Sequence, residues 1–447
     1  MIELKKGLDL PITGTPSMDI DESKKVTSVA VTGFDYVGMK PSMLVNVGDK
    51  VKIGQSLFSC KKNVGLVFTS PGAGTVKAIN RGDKRAFQTM EIELDASEEQ
   101  VEFKSYKDKA PADYTREETK ALLIESGSWA SIRQRPFEKV ADLNANPSAV
   151  FINAMDTNPL APATYVAIER NHENFLNGVA VLSKLTDGQT YVCQDAKAPI
   201  PFVEMDGVKT ELFKGPHPAG NVGTHIHFLD PAGMEKPVWH VGYQDVIAIG
   251  ALFATGKLFL ERMITVAGPY ANKPRYVKTR LGACMKEIAQ GEAKAGARVI
   301  SGSVFNGRTQ DEVFHYLGHY HNQITIIEED TKRELLGWHK PGFDQFSVKN
   351  IYVSKMMPWK KFAFGSNTNG SLRAMVPIGS FEKVMPLDIL PTQLLRSLVA
   401  KDTDLAQDLG ALELAEEDLA LLTFVAPGKV DFAPILRDNL TTIEKEG

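Results

Sequence analysis

Cysteine is scarce in this chain: Cys60, Cys193 and Cys284 are the only thiols among 447 residues. None lies in a C-x-x-C pair, and an iron–sulfur cluster normally takes four thiolates, so no cluster is expected. The scarcity also points to a reducing compartment, because secreted chains usually carry paired cysteines. Long apolar runs are missing too. The longest, residues 246–254 and 419–426, fall well short of the ~20 residues that span a bilayer. No apolar stretch follows the first seven residues, so no signal peptide is expected. Neither sign of charge dominates: 51 basic residues are set against 55 acidic ones, for a net charge of -4. With no basic face or arm, nucleic acid is not expected as a partner. What is present is the composition of a soluble globular protein, 43% hydrophobic and 24% charged. Its length suits roughly three domains of about 150 residues each.

Strand signals dominate the first hundred residues. Apolar and polar residues alternate on both sides of Gly48-Asp49, which predicts a hairpin over 45–54. Ser70-Pro71-Gly72-Ala73-Gly74 breaks and restarts the pattern, residues 90–94 read as a closing strand, and 95–113 as a charged linker. From Thr115 the period lengthens. Thr115-Arg116-Glu117-Glu118 is a capping box, Leu122, Leu123 and Ile124 give the helix an apolar stripe, and Gly127 suits its C-terminal stop. A strand over 149–153, a helix over 161–177, and strands over 179–182, 191–193 and 238–241 come next, then a helix over 244–255. Strands alternating with helices predict a parallel α/β layer. Residues 262–266, 298–301 and 324–328 are β-like, with a helix over 281–289. Beyond Pro391 the chain reads as helical, with Leu394, Leu395, Leu398 and Val399 in one stripe and 414–424 in another.

Several segments, in order along the chain, resemble the A subunits of the sodium-translocating NADH:quinone reductases. They are Lys5-Lys6-Gly7-Leu8-Asp9-Leu10-Pro11-Ile12, Phe151-Ile152-Asn153-Ala154-Met155-Asp156-Thr157-Asn158-Pro159-Leu160, and Gly215-Pro216-His217-Pro218-Ala219-Gly220. Gly223-Thr224-His225-Ile226-His227-Phe228-Leu229-Asp230-Pro231, Trp239-His240-Val241-Gly242-Tyr243-Gln244-Asp245-Val246 and Leu387-Asp388-Ile389-Leu390-Pro391-Thr392 complete the set. The resemblance implies an α+β multi-domain chain: a barrel-sandwich hybrid (1–100), a Rossmann-like α/β domain (101–257), a β-grasp, SLBB-like module (258–330), and a β-hairpin extension with a C-terminal helical domain (331–447). That plan is similar to the flavin-binding subunit of respiratory complex I and to the C subunit of Rnf-type complexes, both of which carry redox centres.

The residues argue against such centres here. A flavin or dinucleotide cradle needs closely spaced glycines at a helix start, so that bare N–H groups reach phosphate. The corresponding stretch, Gly127-Ser128-Trp129-Ala130-Ser131-Ile132-Arg133, keeps one glycine and adds an indole, which reads as a packed corner. The C-terminal region where the complex I relative holds its cluster has no cysteine over 421–429. Lys61-Lys62-Asn63 sits near a carrier-domain hairpin tip but lacks the flanking residues of a modified lysine, so a structural hairpin is expected. His225 and His227 would share a face of a strand, and His315 and His319 a face of a helix. A zinc site needs a third or fourth protein ligand, which only Asp230 or His217 could supply, so no metal is expected.

By resemblance, then, this is a peripheral subunit on the cytoplasmic face of the bacterial inner membrane. The complex it implies oxidises NADH, reduces ubiquinone or a related quinone and exports sodium, with FMN, FAD and iron–sulfur groups in partner subunits. No catalytic centre is expected in this chain. His217, His225 and His227, in a Gly/Pro-rich loop beside the α/β sheet, are the candidates for quinone contact. Met356, Met357, Trp359, Lys360 and Phe362, apolar anchors among lysines, are the candidates for an interface, the other reading being a hairpin with one side buried. Two further possibilities stay open: a docking subunit with no ligand, and an Rnf-like electron carrier.

Overall fold

A computed structural model describes residues 1–201, 204–331 and 339–446. The first domain packs two antiparallel sheets. One pairs Ser28–Thr32, Phe87–Leu94, Gly74–Arg81 and Lys50–Val51; the other pairs Pro41–Met43, Ser56–Cys60 and Val67–Thr69. The expected hairpin over 45–54 does not form. Gly48 does turn the chain at φ 94°, but Lys50–Val51 then pairs with Gly74–Thr75. Local alternation marked the turn correctly while the partner strand lay over twenty residues away. Lys61-Lys62-Asn63 lies between two paired strands, where Asn63 Nδ2 donates to the Ala141 carbonyl at 3.0 Å and ties that tip to the next domain.

The capping box forms as read: the Glu118 N–H donates to Thr115 Oγ1 at 3.3 Å, and the Thr115 N–H to Glu118 Oε2 at 3.0 Å. Helix Arg116–Glu125 leads into the α/β domain, whose sheet runs Ile2–Glu3, Val208–Lys214, Gln189–Asp195, Ala149–Ala154, Val238–Gly242, Arg133–Arg135, Lys139–Val140. The helix expected over 161–177 is two, Thr164–Arg170 and His172–Leu182, parted at Asn171. The second absorbs residues 179–182, expected as a strand. Four apolar residues carry no period of their own, and here they continue a helical face. That helix lies against Tyr243–Thr255 closely enough that a Cβ on Gly250 would collide with the Asn174 carbonyl, and one on Gly178 with the Val246 carbonyl.

A six-stranded sheet follows, ordered Arg308–Thr309, Ala297–Ser301, Gln323–Glu328, Glu261–Ala267, Arg275–Arg280, Ser17–Asp21. The helix expected over 281–289 shrinks to Met285–Ile288. The C-terminal part is helical: Ser380–Val384, Pro391–Ala400, Thr403–Asp408, Glu416–Val425 and Phe432–Glu446 enclose their own core around Phe381, Leu394, Leu398, Leu422 and Leu436. Val399 leaves the expected stripe and is exposed. The segment 339–379 is no β-hairpin. It is mostly irregular, with a 3-10 turn at Val353–Met356 and isolated bridges from Phe362 to Ile12 and from Gly365 to Glu328.

Candidate functional site

Five strands of the α/β sheet run parallel, and the chain leaves Ala149–Ala154 on one side before returning on the other as Val238–Gly242. Such a reversal opens a crevice beyond the carboxyl ends of the two central strands, the usual ligand position in open α/β sheets. Asn153, Asp156, Asn221, Asp245, Arg262 and Glu417 are among its lining residues, drawn from the α/β, β-grasp and helical parts. Its volume is about 100 Å³, below the ~300–1,000 Å³ of ordinary small-molecule pockets. The space suits ordered water or a very small polar molecule, and neither a flavin nor a quinone fits.

Charge in the crevice is mostly paired. Arg262 Nη2 meets Asp245 Oδ1 at 2.5 Å, with His319 Nε2 at 3.5 Å from the same oxygen. Burial raises the Asp245 pKa, but Arg262 and His319 outweigh it and hold the carboxyl below its usual range. Among the described residues, Asp156 has only Asn158 as hydrogen-bond partner, at 2.9 Å to the backbone N–H and 3.0 Å to the side-chain amide. Burial pushes it up to about 6. Glu417 rises to about 7 through burial and the neighbouring Asp418 and Glu138 carboxylates. Both groups can therefore exchange a proton near neutral pH.

Behind the crevice lies an ionic knot. Arg135, fully buried, pairs with Glu138, with Asp418 Oδ2 at 2.9 Å and with Glu417 Oε1 at 3.4 Å, and donates to the Glu413 carbonyl at 2.7 Å. Glu138 also binds Arg133 at 2.6 Å and the His240 ring at 3.1 Å. Asp418 lies against Gly223 at the start of helix Val222–Leu229, where a Cβ would collide with its carboxylate. The protein's own carboxylate thus sits where a helix N-terminus favours an anion.

The three histidine candidates do not converge. His225 and His227 lie on a helix, not on the strand expected, so two residues' separation turns them to different surroundings. His225 is buried on Phe213, with ring centroids 4.3 Å apart, and its Nε2 meets the Ala219 carbonyl at 2.9 Å. His217 is buried beside Phe305 at 5.1 Å, with Nδ1 3.2 Å from Thr157 Oγ1. Burial pulls both rings down to about 4. His227 accepts the Asp388 N–H at Nε2, 3.0 Å, which leaves Nδ1 to donate to Glu413 at 2.8 Å and fasten the C-terminal helices. His315 and His319 share no helix either. Among the described residues, no three His, Cys, Asp or Glu side chains are grouped to hold a metal ion.

Trp129 fills the corner where the flavin-bearing relatives would open a cradle. It is fully buried, its Nε1 donates to the Ala141 carbonyl at 2.8 Å, and its ring meets Trp239 edge-on at 5.3 Å. The loop does not fit an FMN phosphate. Cys60, Cys193 and Cys284 are buried in three separate apolar clusters.

Comparison with known proteins recovers the same succession of folds along the chain. Residues 2–95 match the NqrA N-terminal barrel-sandwich hybrid domain, 114–258 the NqrA second alpha/beta domain, and 263–312 the NQRA C-terminal domain. The A subunit of the Na(+)-translocating NADH-quinone reductase of Alcanivorax borkumensis is 53% identical, and that of Saccharophagus degradans 51%, each over 100% of both chains. The chain belongs to the NqrA family, the A subunits of Na(+)-translocating NADH-quinone reductases. An NAD+-reducing [NiFe]-hydrogenase matches 49% of this chain and 47% of its own at 13% identity and a TM-score of 0.37, too distant to carry a functional argument.

The interface candidates divide. Met356 and Trp359 are 79% and 77% exposed, whereas Phe362 is 8% exposed and packs with Phe346 and Phe364 at 5.7 and 6.1 Å. Met357 is half-buried, and Lys360 is paired with Asp344 at 2.6 Å. A larger feature has no counterpart among the sequence expectations: a groove of about 880 Å³ between the first domain and helix Phe432–Glu446. Phe34, Val37, Met39, Leu66 and Phe137 give it apolar lining, with Gln134 and Arg437 among its polar groups. Its walls come from segments hundreds of residues apart, and no local motif marks them.

Proposed function

We propose that this chain serves a sodium-exporting NADH:quinone reductase as a peripheral subunit that carries no electrons and docks on the subunits that do. The buried Trp129 carries this reading, since it closes the corner that a flavin phosphate would need. Among the described residues no helix is long and apolar enough to cross a membrane, so attachment falls to partners or to the protein surface. Pull-down of the tagged chain from native membranes is expected to bring the other subunits with it, while the purified chain shows a featureless visible spectrum. Tightly held FMN or an iron–sulfur signal in the isolated chain would overturn the proposal and favour an Rnf-like carrier.

Direct quinone contact is a second reading, and the groove at Phe34 and Met39 favours it over the three histidines. Its volume falls in the range of small-molecule pockets, and apolar walls with a few polar groups suit a quinone ring and tail. Titrating the chain with a soluble quinone is expected to quench its fluorescence saturably. Phe34→Asp should abolish that response, and His227→Ala should leave it intact. Loss in His227→Ala alone would return the site to the histidine loop.

A further inference from the structure

The described segment 339–379 contains six basic residues, Lys340, Lys349, Lys355, Lys360, Lys361 and Arg373, against one acidic residue, Asp344, in a chain whose net charge is -4. The same segment exposes Phe343, Ile351, Met356, Trp359 and Leu372, each more than half accessible. It is one lobe. The Val353 N–H donates to the Pro341 carbonyl at 2.9 Å, Ser354 Oγ to the Gln345 carbonyl at 2.5 Å, and Lys349 Nζ to the Ile378 carbonyl at 3.3 Å. Its underside is already satisfied, because Phe346 packs on Phe362, Phe364 and Phe424 at 5.4–6.1 Å. Met356 and Trp359 take no part in that aromatic packing and remain exposed.

We infer that this lobe rests on an anionic phospholipid surface, with Trp359 and Met356 entering the headgroup region and the surrounding lysines meeting lipid phosphates. The inference deepens the peripheral-subunit reading and rests on it. Charge complementarity decides between lipid and protein as occupant. Protein interfaces deplete lysine at their cores, whereas a membrane surface favours lysine beside tryptophan: the ammonium meets headgroup phosphate and the indole lies at the water boundary. Here Lys355 directly precedes Met356, and Lys361 follows Trp359 just beyond Lys360, whose ammonium is paired with Asp344.

Cosedimentation of the purified full-length chain with vesicles tests this. Binding is expected to vesicles of phosphatidylcholine mixed with phosphatidylglycerol, to be absent with phosphatidylcholine alone, and to fall as salt screens the lysines. Lys355→Gln/Lys361→Gln should weaken it about tenfold or more, and Trp359→Ala should weaken it at unchanged salt dependence. All these side chains are exposed, so thermal unfolding should match the wild type. Equal binding to both vesicles, no binding, or unaltered binding by the variants would overturn the inference. Co-isolation from membranes separates the two readings. If Trp359→Ala loses the partner subunits and vesicles never bind, the lobe faces protein and only the lipid inference falls. If no subunit ever co-isolates, the docking reading falls by itself.

Discussion

Arg135→Met is expected to destabilise the chain by about 3–5 kcal/mol, because it strands several carboxylates in a buried site. Removing one partner of a buried ionic cluster costs that much even where the intact cluster contributes little net stability. Arg135 is the bridge between Glu138 of the α/β domain and Glu417 and Asp418 of the helical part. Its loss should loosen the C-terminal helices first. Thermal unfolding together with limited proteolysis reads both effects: a lower midpoint, and early cleavage near residues 380–415. Lys52→Ala is the comparison, since its pair with Glu99 is exposed on both sides and should contribute little. Glu417→Gln should be far milder than Arg135→Met, because it removes the carboxyl that its neighbours already crowd. Equal midpoints for Arg135→Met and Lys52→Ala would show that the knot does not hold the helices.

Stability is expected to fall steeply as pH drops from 6.5 towards 4. Burial holds His217, His225, His240 and His321 at about 4 in the folded chain, against 6.5 when unfolded. A group with a lowered folded pKa contributes stability that is present above its unfolded value and is lost as pH falls through the folded one. Each ring is worth about 3 kcal/mol over that window. Asp156 and Glu417 act in the opposite direction. Raised to about 6 and about 7, they contribute stability at low pH that is lost as pH rises through those values. Four rings against two carboxyls leave a net acid loss of several kcal/mol, and Glu138 and Asp245, both lowered, extend it below the ordinary carboxylate range. Scanning calorimetry across this range should show the unfolding temperature falling, with His225→Leu flattening the slope. A constant unfolding temperature between pH 6.5 and 4 would contradict neutral burial of these rings.

How much of the fold and the site was legible in the residues depended on the range over which each signal acts. The Thr115 capping box is complete within four residues, and it formed as read. Trp129 was read correctly as a packed corner because an indole in a phosphate-binding loop is a local contradiction. Residues 179–182 misled because four apolar residues suit a strand and a helix equally. The histidines misled for a related reason: taking a strand for 225–227 gave them a common face, which helix geometry removes. The crevice was half visible. Asp156 and Asp245 stand inside segments that carried the family resemblance, but Arg133 and Glu417 meet them only through tertiary packing. The wide groove, built from three stretches far apart in the chain, had no linear signature.

The opening residues have a consequence for how the protein is made. Ile2–Glu3 completes the edge of the α/β sheet beside Val208–Lys214, and Ser17–Asp21 completes the β-grasp sheet beside Arg275–Arg280. Both strands must therefore wait, unmatched, until partners lying roughly 200 residues or more later in the chain have been synthesised.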